Sequence, residues 1–113
     1  MKRVTEAAPE AAAFHAVAGL LALRAEDARD AEASFDRAIG IGHASRERLA
    51  SMRLWRGRTY DRLGKRDLAL ADYRAAQWDG EALVRAAAEK GLRRAWRPKR
   101  FAIEMAFGDV PVA

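Results

Sequence analysis

The sequence predicts an all-α fold: a short α-solenoid of about five antiparallel helices, followed by an irregular or extended C-terminal tail. Three observations carry that expectation. Alanine, leucine, arginine and glutamate dominate the 113 residues, with three prolines and few β-branched side chains, a composition that favours helix. Apolar residues recur at helical spacing in five segments separated by breakers. A helical hairpin near the N-terminus also returns 38 positions later with four of six small or aromatic positions kept, the mark of a repeat architecture.

The elements follow in order. The first helix is expected over residues 9–24, where Pro9 suits an opening turn because its φ is already helical. The second covers residues 28–41, and "GIGHAS" then breaks the pattern. The third covers residues 46–63 and the fourth residues 67–77, after which "WDG" makes the next break. The fifth covers residues 81–96 and is ended by Arg97-Pro98, since a residue before proline is pushed out of helical geometry. The helical domain is thus residues 1–96, with units at about 12–45 and 50–80 and a closing helix at 81–96. Residues 97–113 form an apolar tail.

Within the second unit stand Gly57, Tyr60, Gly64, Ala69, Tyr73 and Ala76; the first unit has Gly19, Ala22, Glu26, Ala31, Phe35 and Ala38 at the matching places. Gly57 and the two alanines let neighbouring helices approach, Tyr60 and Tyr73 fill the space left, and Gly64 suits a left-handed helix end. These spacings, in "GLLALRAEDARDAEASFDRAI" and "GRTYDRLGKRDLALADYRAA", resemble the tetratricopeptide repeat, over about residues 12–80. Residues 81–96 resemble the solvating helix that closes such arrays. The tryptophan and leucine of the family's first helix are replaced here by Arg53 and Arg56 in one unit and by His15 and Ala18 in the other.

Composition narrows the chemistry. With no cysteine, disulfides and thiolate metal sites or nucleophiles are excluded, which agrees with a reducing compartment. No phosphate-cradling loop, paired metal histidines or serine elbow is present, so an enzyme, a cofactor and a metal site are not expected. Lys2 and Arg3 precede the apolar run at residues 11–23, yet Glu6, Pro9 and Glu10 intervene and no small-residue cleavage site follows. That run is too short to span a bilayer. A cytoplasmic protein with no membrane contact is the expectation.

Charge is uneven. Residues 1–43 carry five basic and seven acidic groups, whereas residues 44–113 carry sixteen and nine. An acidic partner for the second half is therefore expected. The resemblance implies that the first helix of each pair lines a concave binding face. Helical phase would then place Val17 and Leu20, Leu54, Trp55, Arg58 and Arg62, and Arg85 and Trp96 on it. An apolar floor with an arginine row suits an acidic peptide or partner helix, so a protein-interaction adaptor is the leading expectation. The dicarboxylate clamp of chaperone-binding members is not reproduced, because Leu20 and Arg58 stand where its asparagine would be.

Two alternatives remain open. The clusters "MRLWRGR", "GKR" and "LRRAWRPKR" would serve a nucleic-acid binder, with arginine on phosphate and tryptophan on bases. Against that, Asp61, Asp67 and Asp72 interrupt the basic surface. The tail alternates Phe101, Ile103, Met105 and Phe107. Burying them would gain roughly 6–12 kcal/mol, against an ordering cost on the order of 7–14. Docking therefore needs a preformed surface: the chain's own groove, another protomer in a homo-oligomer, or another protein. A small oligomerisation subunit is the second alternative.

Overall fold

The computed structural model describes residues 9–98. Five helices follow one another: α1 (Pro9–Arg24), α2 (Ala28–Ile41), α3 (Arg46–Arg62), α4 (Arg66–Asp79) and α5 (Ala82–Arg93). No strand occurs among the described residues. The connections are so short that each helix reverses against the one before it, and every consecutive pair is packed. α3 also touches both α1 and α5, so alternate helices share a layer, as in stacked hairpins.

The repeat is written in backbone geometry. Gly64 takes φ 76° and Glu26, its counterpart one repeat earlier, takes φ 64°. In the first turn Asp27 N–H donates to Ala22 O at 2.8 Å and Glu26 N–H to Leu23 O at 3.0 Å. In the other, Lys65 N–H donates to Tyr60 O at 2.8 Å and Gly64 N–H to Asp61 O at 3.2 Å. Both are the same paired closure of a helix end around one left-handed residue. Asp27 then caps α2 by accepting from Asp30 N–H at 3.1 Å. Ser45 does the same for α3, accepting from Arg48 N–H at 3.2 Å.

α3 divides the interior. Met52 and Trp55 face α1 and α2 in a cluster with Ala16, Leu20, Leu23 and Phe35. Ala50 and Leu54 face α4 and α5 in a second cluster around Tyr73, Ala76, Val84 and Ala88. Each cluster is centred on an aromatic ring with no exposure, Phe35 or Tyr73. The rings fit because glycines face them. A Cβ on Gly19 would stand 2.8 Å from the Phe35 ring; one on Gly57 or Gly91 would stand 2.9 or 2.6 Å from Tyr73. Tyr73 is thus gripped from α3 and α5 together.

The bounds of two helices, α4 and α5, differ most from expectation. α4 begins at Arg66 and runs on through Trp78 to Asp79, stopping at Gly80, whose N–H still reaches Ala76 O at 2.8 Å. α5 stops at Arg93 rather than continuing to Trp96, because Arg94 is extended (φ −155°, ψ 151°) and residues beyond it bond elsewhere.

Three substitutions test this packing. Glu26→Gly relieves a left-handed residue that carries a Cβ and raises unfolding stability by about 1 kcal/mol, measured by denaturant unfolding. Gly40→Ala, with open space around its Cβ position, stabilises by about 0.5–1 kcal/mol through helix propensity. Gly91→Ala gains the same propensity but drives the ring of Tyr73 into Gly57, so it destabilises by about 1–3 kcal/mol net. Equal effects from the two alanine variants would refute the clamp.

Candidate functional site

The site is built from a polar exception inside the second hairpin. Tyr73 occupies the place of Phe35, and its hydroxyl needs a partner where a phenyl ring needs none. The partner is Asp61, whose counterpart one repeat earlier is Leu23, itself buried beside Phe35. Tyr73 Oη donates to Asp61 Oδ2 at 2.6 Å. Asp61 is only 3% exposed, and a buried carboxylate is costly unless paired and fully bonded. Arg66 supplies the charge, its Nη1 lying 3.0 Å from both carboxylate oxygens.

The same carboxylate accepts the Trp96 backbone N–H at 2.8 Å on Oδ2. Arg66 meanwhile donates through Nη2 to Gly91 O at 2.6 Å, tying off the end of α5. Residues 94–98 are thereby turned back across α3. Trp96 meets Trp55 edge to face, with ring centroids 5.8 Å apart at 83°. The guanidinium of Arg58 lies 4.4 Å from the Trp55 ring centre and 5.3 Å from that of Trp96. It is therefore held between two aromatic faces by cation–π contact.

Beside this stack opens a cavity of about 490 Å³, lined by Arg58, Tyr73, Ala87, Lys90, Gly91 and residues 94–98. Four of its walls are cationic, namely Arg58, Lys90, Arg94 and Arg97, and no carboxylate is among the lining residues. Trp96, Pro98 and alanines supply apolar surface. Such a lining can hold an anionic group through charge-assisted hydrogen bonds while packing an apolar one beside it. Among the described residues no group of three histidines or acids is placed to hold a metal ion, and no helix is long and apolar enough to cross a membrane.

The residues expected on an open concave face are distributed otherwise. Leu20, Leu54, Trp55 and Arg58 are buried at 3, 0, 1 and 4% exposure. Val17, Arg62 and Arg85 are exposed, and Trp96 is half-buried. Arg85 donates to Gly80 O at 3.1 Å, near the start of α5. Only Arg58 and Trp96 of that set meet at the cavity. Phe101, Ile103, Met105 and Phe107 lie outside the described residues. Lys90 and the organising Asp61 are not among the residues the sequence singles out for binding, and Arg94 and Arg97 enter there only within the basic cluster "LRRAWRPKR" of the nucleic-acid alternative. The sequence signal for the three cations is the charge surplus of "EKGLRRAWRPKR".

A second polar tie fixes α3 from its other side. Arg56 grips Asp72 through two bonds, Nε–Oδ2 at 2.8 Å and Nη2–Oδ1 at 2.9 Å, and reaches Asp36 on α2 at 3.0 Å. Burial pushes the Asp72 carboxyl up while the guanidinium opposes that shift; the bond to Asp72 raises Arg56 above its ordinary value. The bidentate geometry favours the charged pair at neutral pH. Comparison with protein-family models, with curated proteins and with solved structures gives no match.

Burial, reinforced by the bond to Asp61, pushes the Tyr73 phenol far above its ordinary value of 10.0. Tyr60 is also raised by burial, against the nearby Arg56 charge. The folded chain holds the Tyr73 proton more tightly than the unfolded one. Its stabilising contribution is therefore complete below pH 10 and is lost as pH rises above that value. In an ultraviolet titration Tyr73 ionises only as helicity disappears, and Tyr73→Phe removes that step. Ionisation of both tyrosines near pH 10 with helices intact would contradict the buried bond. Asp61→Ala, which strands Tyr73 Oη and the Trp96 amide, lowers unfolding stability by about 2–4 kcal/mol.

Proposed function

We propose that this chain is a non-catalytic protein-interaction scaffold that holds an acidic, partly apolar segment of a partner in the cavity beside Trp96. The observation that carries the reading is the lining itself: four cations, two aromatic rings and no carboxylate. The tetratricopeptide-like reading supports it, because that resemblance assigns the binding face to α1, α3 and α5, and the cavity takes Arg58 from α3 and Lys90 from α5. Arg58, held between two indoles and 4% exposed, contributes positive potential from the inner wall. Lys90, Arg94 and Arg97 are exposed and meet the ligand's carboxylates. A reducing, cytoplasmic setting accords with the absence of cysteine.

The test is fluorescence anisotropy with labelled peptides that combine Asp or Glu with Leu or Phe, set against amide-substituted peptides of the same length and a single-stranded oligonucleotide. Acidic peptides are expected to bind best, and Lys90→Glu/Arg94→Glu to weaken them by tenfold or more, on the order of 1.4 kcal/mol. Both substitutions are on exposed positions, and circular dichroism checks that the helices persist. Acidic and amide-substituted peptides binding alike would refute the reading. Tight oligonucleotide binding that collapses steeply with salt would replace it with nucleic-acid recognition.

A further inference from the structure

We propose that α1 pairs with the α1 of a second copy of this chain, antiparallel about a two-fold axis near Val17. The outward face of α1 carries Glu10, Phe14, Val17, Leu21 and Arg24. Their spacing alternates between four and three residues, so they form one straight seam along the helix. All five are exposed, and the three apolar ones are large: Phe14 is 68%, Leu21 56% and Val17 38% open to solvent. The opposite face of α1, with Ala12, Ala16 and Leu23, is spent on the core.

The repeat shows what such a face is for. One unit later, Phe14, Val17 and Leu21 correspond to Met52, Trp55 and Thr59, which are 1, 1 and 0% exposed. Met52 and Trp55 are covered by the α1–α2 hairpin. The face on α1 is thus of a kind this fold covers with helices, and among the described residues no helix covers it. A second copy stacked end to end would bring α5 onto Phe14 and Leu21; α5 exposes one large apolar residue, Leu83, beside charged Arg85, Glu89, Lys90 and Arg93, so most of that contact would set charge against apolar surface.

A copy related by a two-fold axis brings the same seam instead. Antiparallel pairing centred on Val17 sets Phe14 of one protomer against Leu21 of its partner. It also sets Glu10 against Arg24, and each contact occurs twice. Opposite charges at the two ends of one apolar seam are self-complementary only in this orientation; a parallel pairing would set Glu10 on Glu10 and Arg24 on Arg24. This surface shares no residue with the lining of the Trp96 cavity, so the pairing stands whether or not the peptide-binding proposal holds.

Sedimentation velocity on the full chain tests it over about 10 to 500 µM, since an interface this small gives a dissociation constant on the order of tens of micromolar. The expected mass rises from one 12.5 kDa chain toward two. Phe14→Glu/Leu21→Glu remains monomeric throughout, with helicity retained because both positions are exposed. Glu10→Arg alone or Arg24→Glu alone weakens association roughly tenfold, through like charges set opposite twice; the two together restore it. A wild-type chain that stays monomeric to the top of the range overturns the proposal. So does a dimer indifferent to Phe14→Glu/Leu21→Glu, which places the contact elsewhere, residues 99–113 included. Failure of the double reversal to rescue the single ones overturns the antiparallel arrangement.

Discussion

The hydrogen bond from Tyr73 to Asp61 is the contact on which the second half of the molecule depends. A phenol buried at the centre of a hairpin must place its proton on an acceptor, since an unsatisfied buried hydroxyl costs about 1–3 kcal/mol. Asp61 meets that need and creates another, because a carboxylate at 3% exposure needs a counter-charge. Arg66 answers with both oxygens in reach. The remaining capacity of Oδ2 is filled by the Trp96 amide. Each step is a requirement left by the one before, and the last of them fixes where the chain goes after α5.

That route makes the cavity. Had α5 run on through Trp96, the indole would have projected from the side of that helix. Turned back instead, it covers Trp55, completes the aromatic enclosure of Arg58 and brings Arg94 and Arg97 beside Lys90. The first hairpin does none of this. It keeps Phe35 and Leu23 at the equivalent positions, both apolar and both buried, and carries no polar node there. One repeat is a plain support; the other has been given a buried acid and, with it, a basic recess.

Much of the fold was legible in the sequence because helix periodicity and small-residue spacing are local signals. Gly64 was read as a left-handed helix end and has φ 76°; Gly57 was read as a point of close approach and faces Tyr73 at 2.9 Å. Glu26 gave no such sign, because nothing in a glutamate announces a positive φ; only its place in the repeat does. The end of α5 was misplaced because Leu92, Ala95 and Trp96 continue the apolar rhythm, while the bond that stops the helix comes from Asp61, 35 positions away. For the same reason Trp55 and Arg58 were expected on an open face. Phase along a helix tells which residues share a side, not what will fold back over it. Asp61 itself looked like an acidic interruption of a basic surface, since sequence alone does not show that Tyr73 needs it.

The most direct measurement is hydrogen exchange at the Trp96 backbone amide, in the wild-type chain and in Asp61→Ala. The account predicts an amide protected like those of α3 and α4 although it lies beyond the last helix. It also predicts that this protection is lost in the variant while amides of α1 and α2 keep theirs. A Trp96 amide that exchanges freely in the wild type would contradict it, because residues 94–98 would then not be held over α3 and the basic cavity would have no fixed wall.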